Sequence, residues 1–201
     1  MKVLDLATLR IGSPFRERIV HQPGGAYRVV QGKDVGTDGA LNLEGMVRIA
    51  AVPGRGPPDV LAAGELVLQT RGLSYRAAVV PQHAPPMVAA GSLFILRPDP
   101  DRISADYLVF FLNLPATQAT LRQHATGSTI PNLRRSAIEE VQVPLPSLSD
   151  QQQLVALSQL VRRQADIEER LNSLRLQELH LLAIARADDA TLQRKSLEER
   201  T

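Results

Sequence analysis

From Asp150 to about Arg186 the chain contains neither glycine nor proline. Within that run Leu157, Leu160, Ile167, Leu171, Leu174 and Leu181 recur at alternating three- and four-residue steps. Gln164, Glu178 and Ala185 fill the remaining positions of the same seam. Such a pattern fits a heptad helix with two polar interruptions, because an apolar residue every 3.5 positions keeps one stripe facing a partner. At ~1.5 Å per residue this helix is about 55 Å long, more than a compact domain of this size needs. Leu176, Leu179 and Leu182 lie off the seam and widen the stripe, which suits packing on more than one neighbour. The alternative is a helix folded back on its own domain.

The preceding residues have the opposite character, with frequent glycine and proline and short apolar runs. We expect one mixed α/β (α+β) domain over residues 1–146, a long helix over 147–188 and a charged, fraying tail over 189–201. Strands are expected in Tyr27–Val35, which closes in a Gly-Lys-Asp turn, in Gly64–Gly72, in Tyr75–Val80 and in Ser92–Pro98. The stretches Ala50–Gly64 and Val79–Met87 read as Pro/Gly loops. Ser104 suits a helix N-cap, with Asp106 in the first turn. Leu108, Phe111 and Leu112 give that helix an apolar face, Pro115 opens a second helix, and Gly127 fits its stop.

Composition excludes more chemistry than it suggests. The 201 residues, 44% of them hydrophobic, suffice for a core, but no apolar run approaches the roughly 18–20 residues of a membrane span. The N-terminus has no signal-peptide apolar stretch, and Arg10 comes early. Without cysteine there is no disulfide, thiolate or Cys-bound zinc. A cytoplasmic protein without cofactors is expected. No P-loop, G-x-S-x-G elbow, H-E-x-x-H motif or dinucleotide fingerprint occurs. His21, His83, His124 and His180 are scattered, and the pairs Glu139/Glu140 and Glu168/Glu169 sit in charged helical surroundings that suit a solvated face. Of the 23 basic residues only Lys2, Lys33 and Lys195 are lysines. Arginine's planar fork suits phosphate and guanine edges, although high genomic G+C content enriches it too. On these grounds the chain reads as a binding module with an assembly helix.

One junction is sharply punctuated. "GSTIPNLRRSAIEEVQVPLPSLSDQQQ" (Gly127–Gln153) runs from a polar turn through a double arginine and an apolar strand to a proline bracket and three glutamines. Pro144 and Pro146 fix φ and lack donors, so the chain leaves the domain stiffly; Ser149 or Asp150 then suits the helix cap. In this order Gly127, Ser128, Val141, Val143, Pro144, Pro146, Gln151 and Gln152 resemble the specificity subunit of type I restriction–modification systems. "GSPFRERI" (Gly12–Ile19) is similar to that family's entry segment. "LAAGELVLQTRG" (Leu61–Gly72) is similar to its G-D-x-L-x-x-x-R-G strand, with Glu65 in place of Asp, and "LFILRP" and "ADYLVFFLN" are similar to its next strand and helix.

The resemblance implies a non-catalytic subunit that chooses double-stranded DNA for a methyltransferase (modification) subunit, with a restriction/translocase subunit as an optional third member. A full specificity subunit carries two recognition domains and two helices; this chain carries one of each, without internal repeat. It therefore resembles a half-subunit, and two copies pairing through their helices would rebuild the twofold frame and read a bipartite inverted repeat. Met1 and the charged end lead us to expect a complete unit, the alternative being truncation of a longer parent. The alternative is a scaffold of the same fold that binds the methyltransferase without reading DNA. Candidate DNA contacts are Lys33; Arg71, Ser74, Tyr75 and Arg76; and Ser128, Thr129, Asn132, Arg134 and Arg135. Arg16 and Arg18 beside Phe15 are weaker ones. Each group has a plainer reading: Arg71 pairing with a local carboxylate, Ser128 and Thr129 capping backbone, Arg134 and Arg135 as a solvated pair rather than a phosphate site on the short helix they open.

Overall fold

The computed structural model describes residues 1–52, 57–127 and 129–198. It divides into a compact unit, Met1–Val155, and the remainder of the chain from Ala156.

The compact unit is a mixed α+β fold of two sheets with helices. Strands β1 (Ala7–Ile11), β4 (Leu66–Gln69), β5 (Ala77–Val79) and β7 (Leu93–Pro98) form an antiparallel sheet in the order β1-β7-β4-β5. Strands β2 (Tyr27–Val30), β3 (Val47–Ile49) and β6 (Met87–Ala89) form a second sheet in the order β3-β2-β6, with β2 and β6 parallel. The four-stranded sheet is buried on both faces. Leu66, Leu68, Ala77, Phe94 and Leu96 face one apolar cluster, and the intervening Val67, Ala78, Leu93 and Ile95 face another. Alternate side chains of a strand point to opposite faces, so unbroken runs such as "LVL" and "LFIL" fit a sheet with no solvated side.

Helices α1 (Ala105–Asn113) and α2 (Pro115–Gln123) cover the first cluster through Leu108, Leu112 and Leu121. The Ser104 hydroxyl accepts from Tyr107 N–H as the N-cap of α1, and Pro115 stands at the first turn of α2. Gly127 is not the helix stop. Helix α2 ends at Gln123 with His124 as its C-cap, and Gly127 adopts φ 116° in the turn beyond. A Cβ there would lie 3.0 Å from the Ile130 carbonyl oxygen, so the turn itself requires glycine.

Three strands are additional to the expected ones. β1, β3 and β6 are short or interrupted by charge, and β6 follows Pro85-Pro86 directly, so the expected Val79–Met87 loop is bounded by strand residues at both ends. The substituted Glu65 has a structural role. Its buried carboxylate takes a bidentate contact from Arg10 (2.7 and 2.9 Å), one from Arg97 Nε (2.8 Å) and one from Ala62 N–H (2.9 Å). Arg10 also pairs with Asp59 at 2.7 Å. Burial pushes the Glu65 carboxyl up, but Arg10, Ala62 N–H and Arg97 together outweigh it and hold the group below its ordinary 4.5. A depressed carboxyl contributes stability that is fully present above about pH 4.5 and is lost as pH falls through the folded value. The denaturant midpoint should therefore drop between pH 7 and pH 3. A Glu65→Gln variant, less stable at neutral pH, should show a smaller drop; equal drops would remove Glu65 from the acid response.

The elbow is a set of specific bonds. Val3 N–H donates to Val141 O and Val143 N–H to Met1 O, so the segment before the prolines is laddered to residues 1–3. The Tyr107 hydroxyl donates to Pro144 O at 3.0 Å. The cap of the long helix α4 (Leu148–Glu198) is Ser147, not Ser149 or Asp150: its hydroxyl accepts from Asp150 N–H (3.2 Å) and donates to the Asp150 carboxylate (2.6 Å). Asp150, three residues into the helix, thus holds the capping hydroxyl in place with its carboxylate. Gln151 is fully buried. Its Oε1 accepts from Ser104 N–H (2.9 Å), and its Nε2 donates to Arg102 O and Pro146 O (3.0 Å each).

Beyond Val155 the helix is one continuous element. Leu157, Leu160, Ile167, Leu171, Leu174 and Leu181 are 46–66% exposed in the single chain. Gln164 donates to Glu168 along the helix at 2.9 Å. The Ala185 side chain lies outside the described residues.

Candidate nucleic-acid interface

The turn after β4 and the segment after α2 are stitched together. Leu133 N–H donates to Thr70 O (2.7 Å) and Gly72 N–H to Pro131 O (3.0 Å), with Arg71 and Asn132 as the antiparallel pair between them. Thr126 and Asn132 exchange backbone bonds of 3.0 and 2.8 Å, which closes the loop that carries Thr129. Buried Leu133 anchors this second strand. The result is a short two-stranded ribbon, Thr70–Gly72 against Pro131–Leu133, on top of a doubly buried sheet.

Two helix side chains clamp the backbone that follows the turn, at Tyr75 and Ala77. Gln118, buried on α2, accepts from Tyr75 N–H (3.0 Å) and donates to Tyr75 O (2.7 Å) and Leu112 O (2.8 Å). Asn113 pairs in the same way with both backbone groups of Ala77, at 2.9 and 2.8 Å. Strand β5 is a sheet edge, so its outward backbone groups find other partners: Asn113 takes both groups of Ala77, and Val79 N–H donates to Gly39 O at 3.1 Å.

Of the expected contact residues, Arg71, Asn132, Arg134 and Arg135 line one hollow of about 270 Å³ beside the ribbon. Lys33 and Arg71 line an adjoining one of about 550 Å³. Arg71 therefore stands between the two turns, and the ribbon and the Gly32-Lys33-Asp34 turn share one surface. Neither Arg71 nor Arg134 forms an ion pair with any described residue, so the carboxylate partner considered for Arg71 is absent among them. Arg135 pairs with Glu139 at 2.7 Å along the helix α3 (Arg135–Glu139), and Lys33 pairs with Asp34 at 3.0 Å. Both pairs are solvated at the cationic end, where such contacts contribute little and exchange readily.

Tyr75 does not belong to this surface. It is fully buried in the main cluster, its backbone clamped by Gln118, and its hydroxyl has no hydrogen-bond partner among the described residues. Burial pushes the phenol pKa up. Ser74 is half-buried and donates to Gln69 at 3.4 Å; Arg76 is half-buried beside it. Thr129 is exposed and caps nothing among the described residues, while Ser128 lies outside them. Gln69 was not among the expected residues. Its Oε1 accepts from Arg76 N–H (3.2 Å) and Ser74 Oγ, and its Nε2 donates to Gly32 O, which ties the Lys33 turn to the hairpin. Its one sequence signal is a polar residue ending the apolar run "LVLQ".

At the entry segment, Gly12 lies against the backbone of Ala89 and Ala90, where any Cβ would collide. Ser13 N–H continues the contact by donating to Ala89 O at 2.8 Å. Among the described residues no helix is long and apolar enough to cross a membrane, and no group of His, Cys, Asp and Glu could hold a metal ion.

Comparison with known proteins agrees with this architecture. No curated protein sequence matches the chain. A chain from a structural study of complex assembly and conformational transition in a type I R-M system shares the fold at TM-score 0.66 and 19% identity, over 90% of this chain and 42% of its own. The HsdS subunit from Thermoanaerobacter tengcongensis matches at 0.60 and 19%, over 85% and 38%. The type I restriction-modification S subunit from M. genitalium matches at 0.53 and 17%, over 81% and 38%. The chain thus spans about two fifths of the length of these proteins. The family model for the type I restriction modification DNA specificity domain matches residues 65–174, from the Glu65 strand through the ribbon and elbow into α4. That is more than half of the sequence, and the chain belongs to this family of non-catalytic DNA specificity domains.

Proposed function

We propose that this chain reads DNA sequence with the ribbon surface and directs a methyltransferase subunit to a bipartite target in the cytoplasm, as a homodimer of half-subunits joined through α4. A restriction/translocase subunit would join the same complex. The observation that carries the reading is the ribbon itself: a cross-linked pair of turns that sets Arg71, Asn132 and Arg134 on one rigid surface, with two guanidinium groups left without partners among the described residues. Unpaired arginines on a fixed scaffold suit phosphates and base edges, and loops on a rigid base commonly carry recognition. Lys33 and Arg135, which line hollows with Arg71, would extend the contact, with Arg76 as a further cation and Ser74, Thr129 and Asn132 as polar readers. The seam leucines of α4 would supply the second half of the frame.

Binding of duplex DNA should weaken steeply with salt, because each neutralised phosphate releases counterions. The Arg71→Ala, Arg134→Ala double variant should bind roughly ten- to a hundredfold more weakly at moderate salt, with a log–log salt slope shallower by about two if both side chains meet phosphates. Fluorescence anisotropy across a salt series measures both quantities. Methylation maps of cells with and without the protein test the wider reading. An unchanged methylation pattern together with unaltered binding by the double variant would favour a scaffold that does not read DNA.

A further inference from the structure

The register of the ribbon has an apolar consequence. Leu133 with Thr70, Asn132 with Arg71 and Pro131 with Gly72 follow one antiparallel alignment. Gly72, at φ 108°, ends the ladder, and Leu73 and Ile130 are the residues that flank its last bonded pair, Gly72 and Pro131. Leu73 is 82% exposed, more than any other large hydrophobic among the described residues, and Ile130 is 63% exposed. Single exposed leucines are ordinary on protein surfaces. Two that flank the same bonded pair, at the end of an arginine-flanked ribbon, offer a local apolar contact surface instead.

We propose that Leu73 and Ile130 form an apolar tip that packs against thymine methyl groups in the major groove of the target. The inference rests on the DNA-reading function proposed above and names the feature read. A two-stranded ribbon with strands about 5 Å apart fits a major groove about 12 Å wide. On the floor of that groove the thymine C5-methyl is the apolar group of a base edge, and aliphatic side chains recognise it by contact. Charge selects the occupant. Arg71, next to Gly72 on the ribbon, and Arg134, just past its second strand, carry positive charge without an ion pair among the described residues, which favours a polyanion over an apolar protein surface. The apolar pair adds discrimination that phosphate contacts cannot supply.

The test uses the full chain and a randomised duplex library. Wild type should select a motif containing thymine, and replacing that thymine by deoxyuracil, which removes only the methyl, should weaken binding about tenfold. The Leu73→Ser, Ile130→Ser variant should fold with an unchanged melting temperature, since both side chains are exposed. It should lose the preference for thymine over deoxyuracil while keeping the wild-type salt slope. If wild type tolerates deoxyuracil throughout its motif, or the variant still discriminates against it, the proposal is overturned; the first arm needs no variant. If wild type selects no motif at all, the DNA-reading function itself fails. If the variant reads DNA as before but loses association with the methyltransferase subunit, the tip is a protein-docking point and the proposal is overturned.

Discussion

Replacing Gln151 by leucine should cost the compact unit about 3 kcal/mol, although the side chains are similar in size. Gln151 is fully buried and makes three hydrogen bonds, to Ser104 N–H, Arg102 O and Pro146 O. Leucine would leave those partly buried backbone groups without this partner, and each unsatisfied group costs about 1–3 kcal/mol. Three such groups would together cost about 3–9 kcal/mol, and partial relaxation and water entry bring the sum to the lower end of that range. For a unit of this size the melting temperature should fall by about 6–12 °C, read by scanning calorimetry. The neighbouring Gln152 is exposed, and Gln152→Leu should change stability by no more than about 0.5 kcal/mol. Equal effects of the two substitutions would show that the buried bonds of Gln151 do not fasten the helix start. The consequence reaches function through geometry. Gln151 joins the first turn of α4 to the N-terminus of α1 and to the proline bracket at once, so its loss loosens the start of the helix on the compact unit.

This bond also explains what could and could not be read from the residues in order. Ser104 as an N-cap, Pro115 at a helix start and the strand runs of β4 and β7 are local signals, and the fold keeps them. The elbow was recognisable as a motif, but the bonds within it were not. The cap moved to Ser147 because Gln151 and Asp150 both close back on the residues before the helix. The candidate surface divides in the same way. Arg71 and Arg134 look like any surface arginines in sequence, and what unites them is a backbone ladder between segments about sixty residues apart. Tyr75, in a serine- and arginine-rich turn, looks equally exposed; its burial depends on Gln118, which is 43 positions away. Strand β6 was hidden by the prolines before it, because its stability comes from β2 and from Val60, not from its own three residues. Local chemistry marks caps and turns, whereas burial of a loop residue is decided by whichever distant side chain satisfies its backbone.

Ile167→Asp with Leu174→Asp should convert a dimer into a monomer at micromolar concentration. Both residues lie on the seam of α4, one heptad apart, and both are exposed in the single chain. If two helices pair along this stripe, each such side chain loses most of its contact with water, and burial of one leucine or isoleucine is worth about 1.5–3 kcal/mol. An aspartate at the same position forfeits that contribution and adds an unpaired carboxylate to a closing apolar interface, a further cost of several kcal/mol. Twofold symmetry doubles the effect, since every substitution enters the interface twice. The dissociation constant should therefore rise by more than about a thousandfold, well beyond what exposed charge changes produce. Light scattering coupled to size exclusion reads the outcome directly. The polar seam positions provide the internal comparison: Glu178→Leu and Gln164→Leu should keep or strengthen the dimer, because they extend the apolar stripe. Wild type that remains monomeric at high concentration would overturn self-pairing through this helix. A dimer that survives both aspartates would place the interface elsewhere, on the off-seam Leu176, Leu179 and Leu182 or in the compact unit. Because the substituted side chains belong to the helix beyond Val155, the melting of the compact unit should not change, and loss of two-site DNA binding in the monomer would then be a consequence of assembly alone.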